Sequence, residues 1–413
     1  MGLLSFLGRQ QAARRDPITL GGIELPPQNE PLHTLLCGAT GVGKTTLMDE
    51  ALEIIVGRGD RAIVVDPGGH HLSRFGRPGD VVLNPFDARS PGWSIFNEIR
   101  HDFDYVRLAK SLIPDGQGAD AAWNFYTQIL AAEGMRALMR QGENSTAALL
   151  DRLTVAPAEE LAKLLVGTPV QGLFDKDAGR ALASTRFILA TYLNPHQYLR
   201  PGDFSVRDWL EKDTGNLFVT WREDMQTALL PLIACWVDLV CNAVLSLPAA
   251  RERRLWLLLD ELGALGQLNS LEATLTRGRK HGLCVLAGLQ STSQLDRHYG
   301  REAAIVLRCC FRNLVVLSLA RSDPDTAQVM SQALGEREVE RVQRSAQRSA
   351  QGISHGANLQ RDTERLVLPS ELTQLPDLTA YVALAGNMPV RLVEFAPVDR
   401  TQVLAAFEEA PSC

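Results

Sequence analysis

Two short segments of this chain hold the residues best placed to do chemistry. One is Gly38-Ala39-Thr40-Gly41-Val42-Gly43-Lys44-Thr45, with Thr46 following; the other is Leu255-Trp256-Leu257-Leu258-Leu259-Asp260-Glu261. The first matches the phosphate-loop pattern G-x-x-x-x-G-K-[ST] at every position. Gly38, Gly41 and Gly43 allow tight curvature, so successive N–H groups turn inward toward a β-phosphate. The helix that begins there adds its positive end. Lys44 reaches the β- and γ-phosphates, and the Thr45 hydroxyl takes magnesium. The second segment is an apolar run ending in two carboxylates. Asp260 suits a magnesium-bound water, and Glu261 suits orientation and deprotonation of an attacking water. Either alone is ordinary, since glycine-rich turns arise by chance and many strands end in charge. Together they describe a site that binds ATP and Mg2+ and hydrolyses the terminal phosphate.

Two further side chains are candidates. Gln290 ends the apolar stretch before Ser291, where a polar residue either senses a γ-phosphate or simply faces solvent. Arg279 lies in Arg277-Gly278-Arg279-Lys280. It suits an arginine finger onto a neighbour's nucleotide in a ring, or a solvated helix end favoured by the helix dipole.

These groups need rigid elements beneath them. His33–Cys37, Arg61–Asp66 and Val81–Leu83 read as strands, with a helix from Gly43 to Val56 between the first two. The alternation resumes with strands Gly215–Thr220, Leu255–Leu259, Leu283–Gly288, Asn313–Leu319, Ala380–Ala383 and Val390–Phe395. Strands alternating with helices predict a mostly parallel α/β sheet flanked by helices. From 92 to 202 the stretches rich in Ala, Leu, Glu and Arg have helical period, which predicts an inserted all-α domain. The expected layout is therefore a lead-in over 1–31, a nucleotide-binding domain over 32–91 and 203–413, and the insertion over 92–202. The lead-in is punctuated by Gly21, Gly22 and several prolines. Residues 341–362 carry a polar repeat without apolar periodicity and are expected to be a mobile loop.

With 413 residues, two or three domains are expected. A net charge of −6 gives no bulk basic signal for nucleic acid, although a channel needs positive charge only where a strand passes. None of the seven cysteines forms a C-x-x-C pair, so buried thiols in a reducing compartment are expected, not a zinc site. The apolar stretch from Ala228 to Ala250 holds Pro231, Asp238 and Asn242 and reads as a buried core helix.

Several motifs beyond the phosphate loop carry a resemblance. They are Leu258 to Leu265, Gly278 to Leu283, Gly288 to Leu295, Asp66-Pro67-Gly68-Gly69, Asn84-Pro85-Phe86-Asp87, Gly92 to Glu98, Thr220 to Asp224 and Pro376 to Tyr381. Over about Ile18 to Phe395 the chain resembles the type IV coupling proteins, the TrwB/TraD/TraG group of conjugative DNA pumps, and most of all its TrwB branch. The resemblance implies a RecA-like P-loop motor with an inserted all-α domain. It implies a homo-hexameric ring at the cytoplasmic face of the bacterial inner membrane that moves DNA through a central channel. It implies partners in a relaxase–DNA complex and a type IV secretion channel. It carries the roles above onto Lys44, Thr45, Asp260, Glu261, Gln290 and Arg279. Family members begin with two transmembrane helices; none precedes the motor here, so membrane contact is expected only through a missing anchor or a partner. Arg74, Arg77, Arg277 and Lys280 are candidate DNA contacts, and the basic stretch Arg9–Arg15 a candidate for anionic lipid. Rival readings are a RecA-like secretion ATPase acting on protein and a nucleotide-binding adaptor that recruits relaxase without motor work.

Overall fold

The computed structural model describes residues 15–118, 120–175, 177–212, 214–349 and 352–411. Of the basic stretch Arg9–Arg15 only Arg15 falls among them, and Cys413 lies outside. The chain opens with β1 (Ile18–Leu20) and β2 (Ile23–Leu25), an antiparallel hairpin. Gly21 and Gly22, taken from the sequence as breakers, are its turn, with φ of 61° and 76°. Two positive φ values make the type I′ geometry that matches strand twist. Glu50 clamps the hairpin by accepting from the N–H groups of Gly21 and Gly22, at 2.8 and 3.0 Å, and from the Thr19 hydroxyl.

The central sheet has nine strands. In chain order they are β3 (Thr34–Cys37), β4 (Arg61–Pro67), β5 (Val81–Leu83), β6 (Leu217–Trp221), β7 (Leu255–Leu259), β8 (Leu283–Leu289), β9 (Asn313–Leu317), and, beyond a separate ribbon, β12 (Thr379–Ala383) and β13 (Arg391–Glu394). In space the order is β13-β12-β9-β3-β8-β7-β4-β6-β5. The strands from β9 to β5 are parallel to their neighbours, and β12 and β13 run antiparallel at one edge. The fold is a RecA-like α/β sheet. Its central strands are covered on both faces, which is why they read as unbroken apolar runs. Successive residues still divide by face: Leu35, Ile63 and Val65 join one core, Leu36, Ala62 and Val64 the other.

On the second face lie α1 (Lys44–Gly57) and the short α2 (His70–Phe75). Between β5 and β6 the chain forms α3 (Asp104–Leu112), α4 (Asp120–Arg140), α5 (Thr146–Leu150), α6 (Ala158–Leu164), α7 (Gly179–Leu193) and α8 (Val206–Lys212). Among the described residues this stretch has no strand, only an isolated bridge from Asp87 to Glu409 and one between Trp93 and Phe204. The chain leaves and re-enters at the Trp93–Phe204 bridge: Trp93 N–H donates to Arg200 O at 3.1 Å and Phe204 N–H to Gly92 O at 3.2 Å. A Cβ on Gly92 would lie 2.1 Å from Pro201 O, so only glycine allows the crossing.

The helix α9 (Gln226–Ser246) is long and apolar enough to span a membrane, yet it is mostly buried against α3, α8 and the sheet. Its Asp238 carboxylate is buried and satisfied by Ser111 Oγ (2.7 Å), Ser270 N (2.7 Å), Ser270 Oγ (3.0 Å) and Asn242 Nδ2 (3.1 Å). After β7 come α10 (Leu271–Arg277), α11 (Thr292–Tyr299), α12 (Arg301–Cys310) and α13 (Pro324–Leu334). Cys37, Cys235, Cys241 and Cys284 are buried free thiols; Cys309 is exposed.

The stretch expected to be a mobile loop falls on a pair of strands. Residues 341–349 and 352–362 form most of β10 (Glu336–Ser349) and β11 (Gly352–Arg365), a two-stranded antiparallel ribbon. Among the described residues the ribbon pairs with no other strand.

His33, at the start of β3, accepts from Val285 N–H at Nδ1 (3.1 Å) and donates from Nε2 to Leu275 O (2.9 Å). Burial lowers its pKa to about 4. The unfolded imidazole takes a proton near 6.5 and the folded one only near 4, so stability is intact above that window and falls on acidification through it. Urea midpoints measured across that range are expected to drop toward acid, and His33→Gln to flatten the drop.

Candidate nucleotide site

The parallel register brings the carboxyl ends of β3, β8 and β7 to one edge, with Cys37 beside Leu289 and Leu259 beside Ala287. Loops at that edge are where open α/β sheets bind ligands. The phosphate loop is fixed from its first residue: Gly38 N–H donates to Leu289 O at 3.0 Å and Ala39 N–H to Ser318 O at 2.8 Å. Gly41 and Gly43 have φ of 82° and 113°, where a side chain would be strained. Gly43 is also crowded, since a Cβ would lie 2.9 Å from Leu378 and from Phe395. Leu378, itself at φ 60°, braces the loop by donating to Val42 O at 3.0 Å.

Lys44 opens α1. Its Nζ donates to Gly38 O at 2.8 Å and Ala39 O at 2.9 Å. Burial lowers its pKa, while the Glu261 and Asp260 carboxylates work against that. Thr45 Oγ1 donates to Asp260 Oδ1 at 3.3 Å. Glu261 Oε2 accepts from Gln290 Nε2 at 2.7 Å, and Gln290 Oε1 accepts from Thr40 Oγ1 at 3.1 Å. The other Glu261 oxygen, Oε1, is buried without a partner. Burial raises the Glu261 pKa above the usual carboxylate value, offset in part by Gln290 and Lys44. Thr40, Gln290 and Glu261 thus form one hydrogen-bonded chain and Thr45 and Asp260 a second pair, with the charges of both carboxylates acting on Lys44. Thr46 follows on α1 and lines an adjoining cleft of about 330 Å³.

The donor set fits magnesium: a hydroxyl and a carboxylate oxygen converge within one coordination shell, and Mg2+ takes few protein oxygens plus water and phosphate. The loop fits a triphosphate through its left-handed glycines, the helix start and a buried lysine. The free Glu261 Oε1 is an acceptor of the kind a water needs.

Arg279 is not part of this group. It precedes β8 while Gln290 follows it, and β8 alone spans roughly 20 Å. It lies with Arg251, Arg277 and Lys280 around a separate cleft. The four candidate DNA contacts split likewise: Arg74 and Arg77 border a cleft beside α1 and α2, Arg277 and Lys280 the one before β8.

The family described as type IV secretion-system coupling protein DNA-binding domain matches residues 17–396. The chain belongs to this coupling-protein family. Among its relatives is Coupling protein TraD of Escherichia coli (strain K12), 29% identical over 406 residues, covering 94% of this chain and 56% of TraD. Conjugal transfer protein TraG of Escherichia coli is 22% identical over 434 residues, covering 91% of this chain and 67% of TraG. The chain thus spans little more than half the length of its TraD relative. Among solved coupling proteins, TrwBdeltaN70 is 46% identical with a TM-score of 0.89, covering 95% of this chain and 92% of that one. TrwB has also been solved with a non-hydrolysable ATP analogue and with ADP and Mg2+.

Four residues contribute in ways their motifs do not announce. Thr40 is a variable position of the loop pattern, yet it holds Gln290. Leu378 and Phe395 brace Gly43 from far along the chain. Gly288 lies inside β8, where a Cβ would sit 2.1 Å from Asp260 O. Glycine inside an apolar strand run was the available signal, because it marks close backbone approach.

Proposed function

We propose that this chain is the ATP-hydrolysing motor of a type IV coupling protein, moving relaxase-bound DNA toward a type IV secretion channel. The carrying observation is the Thr40–Gln290–Glu261 chain and the Thr45–Asp260 pair gathered with the phosphate loop at the sheet edge, in a chain of the coupling-protein family. Lys44 and the loop amides bind the phosphates, and Thr45 and Asp260 hold Mg2+. The ion neutralises phosphate charge when bound. Glu261 orients a water and takes its proton at Oε1, while Gln290 holds Glu261 in place through Oε2 and stands where it can sense the terminal phosphate. Arg279, on the opposite edge of the sheet, acts on a neighbour's nucleotide in a homo-hexameric ring. That ring works at the cytoplasmic face of the inner membrane. DNA is held through phosphate contacts with little sequence preference.

The test is ATP hydrolysis at low salt with and without single-stranded DNA, over a range of protein concentrations, with Lys44→Ala as control. Strong DNA stimulation that rises cooperatively with protein and vanishes in the control is the expected result. Turnover indifferent to DNA overturns the DNA-motor reading and favours a protein-handling ATPase. Tight nucleotide binding with negligible turnover, even with DNA, favours an adaptor.

A further inference from the structure

Asp49 lies one helical turn beyond Thr45 on α1 and is 5% exposed. Two consecutive histidines face it from the start of α2. Asp49 Oδ2 lies 2.8 Å from His70 Nε2, and Asp49 Oδ1 lies 2.8 Å from His71 Nδ1. The positive φ values of Gly68 and Gly69, 79° and 71°, turn the chain out of β4 so that α2 starts against α1. All three donor atoms lie within 4.8 Å of one another.

We propose that Asp49, His70 and His71 form a site for a divalent first-row transition ion of the Zn2+ class, which fastens α1 to α2. One carboxylate oxygen and two imidazole nitrogens are the donor set such ions take, with bonds of about 2.0–2.2 Å. Donors this close need only a small outward shift to admit the ion. A histidine ligand commonly has its second nitrogen oriented by an outer carboxylate. His71 Nε2 and Asp66 Oδ1 are both buried without a hydrogen-bond partner, and the Asp66 charge acts on His71. The fourth position opens onto the cleft of about 330 Å³ lined by Thr45, Thr46, Asp49, His70, Arg74 and Pro397 through Arg400. His70, with 34% of its side chain exposed, provides the entry path.

Two cations work against the ion. Arg400 lies 3.9 Å from Asp49 Oδ2. Arg74 Nη1 donates to His70 Nδ1 at 3.0 Å, which places the ring proton on Nε2, the nitrogen that must bind the metal. Loading therefore requires Arg74 to release His70; it retains His70 O at 3.2 Å and Ser73 Oγ at 3.4 Å as acceptors. Arg74 is thus a gate on the site, and removing it strengthens metal binding. The proposal does not depend on ATP hydrolysis.

The test uses the chain without a histidine tag, stripped with chelator, in excess Mg2+. Zn2+ is titrated by calorimetry and Co2+ by visible absorption. The expected result is one equivalent of Zn2+, a chelator-reversible rise in thermal midpoint, and a low-symmetry Co2+ spectrum distinct from the hexaaquo ion. Because His71 is fully buried and its variants can misfold, His70→Gln is the diagnostic variant. It is expected to weaken binding at least about tenfold, and Arg74→Ala to strengthen it. Asp260→Asn is expected to leave it unchanged, which separates this site from the nucleotide site. Equal affinity in the parent and His70→Gln chains, or a Co2+ spectrum of the hydrated ion, overturns the proposal.

Discussion

Glu261→Gln is expected to keep its nucleotide and lose its turnover. The replacement preserves volume and an oxygen that can still accept from Gln290 Nε2, now 2.7 Å from Glu261 Oε2. The group it removes is the basic carboxylate, whose Oε1 is buried without a partner. General-base catalysis contributes about 10²–10⁴-fold, so kcat should fall by that factor. Affinity for a fluorescent ATP analogue should change little, because Lys44 and the loop amides remain. The pH profile gives a second reading. Burial raises the Glu261 pKa above the ordinary glutamate value, and only the ionised form accepts a proton. Parent activity should therefore fall with acidification at a higher pH than a solvent-exposed glutamate would give, and that limb should be missing from the variant. Loss of affinity in parallel with kcat would make Glu261 a structural support instead.

The same burial explains what the sequence made legible. A parallel strand covered on both faces must be apolar throughout, so β3, β4, β7 and β8 stand out, and Asp260, Glu261 and Gln290 stand out at their ends. The phosphate loop is legible because its chemistry depends on backbone shape that few residues other than glycine adopt. What could not be read depends on long-range placement. Thr40, Gln290 and Glu261 become one hydrogen-bonded chain only when β3, β8 and β7 end side by side. The His70–Asp49–His71 cluster joins two helices, and no spacing rule within one element announces it.

Two features were obscured for opposite reasons. The hairpin at Ile18–Leu25 is too short for its alternation to rise above the surrounding Gly and Pro residues. The ribbon over β10 and β11 is long, but its sequence is polar and lacks the apolar period by which a strand is recognised. Arg279 shows the limit of a motif read in one chain. Its basic cluster lies close in sequence to Gln290, yet β8 carries the two to opposite edges. In this chain Arg279 reaches no nucleotide group of its own site, so the role proposed for it requires a second subunit.

Gly288→Ala is expected to damage the site through the backbone, without changing any side chain that touches nucleotide. A Cβ at this position would lie 2.1 Å from Asp260 O, 3.1 Å from Asp260 C and 3.2 Å from Met48 Cε. The nearest obstacle is main chain, so it cannot be relieved by a rotamer change. The end of β7 must move away from β8, carrying Asp260 and Glu261 from Thr45 and Gln290. Overpacking of this kind costs about 1–3 kcal/mol of stability, visible as a lower urea midpoint. A displacement near 1 Å at reacting groups costs about 10²-fold in rate, so kcat/KM should fall by about that much or more. Nucleotide binding through the loop should suffer less, since Ala39 is anchored to Ser318 O and Val42 to Leu378 N, away from β7. The decisive measurement is the double variant with Glu261→Gln. If Gly288→Ala acts by displacing the carboxylates, the two rate losses should combine to much less than their product, because the second change disables a group already out of place. Fully multiplicative losses would show that Gly288 influences turnover by another route.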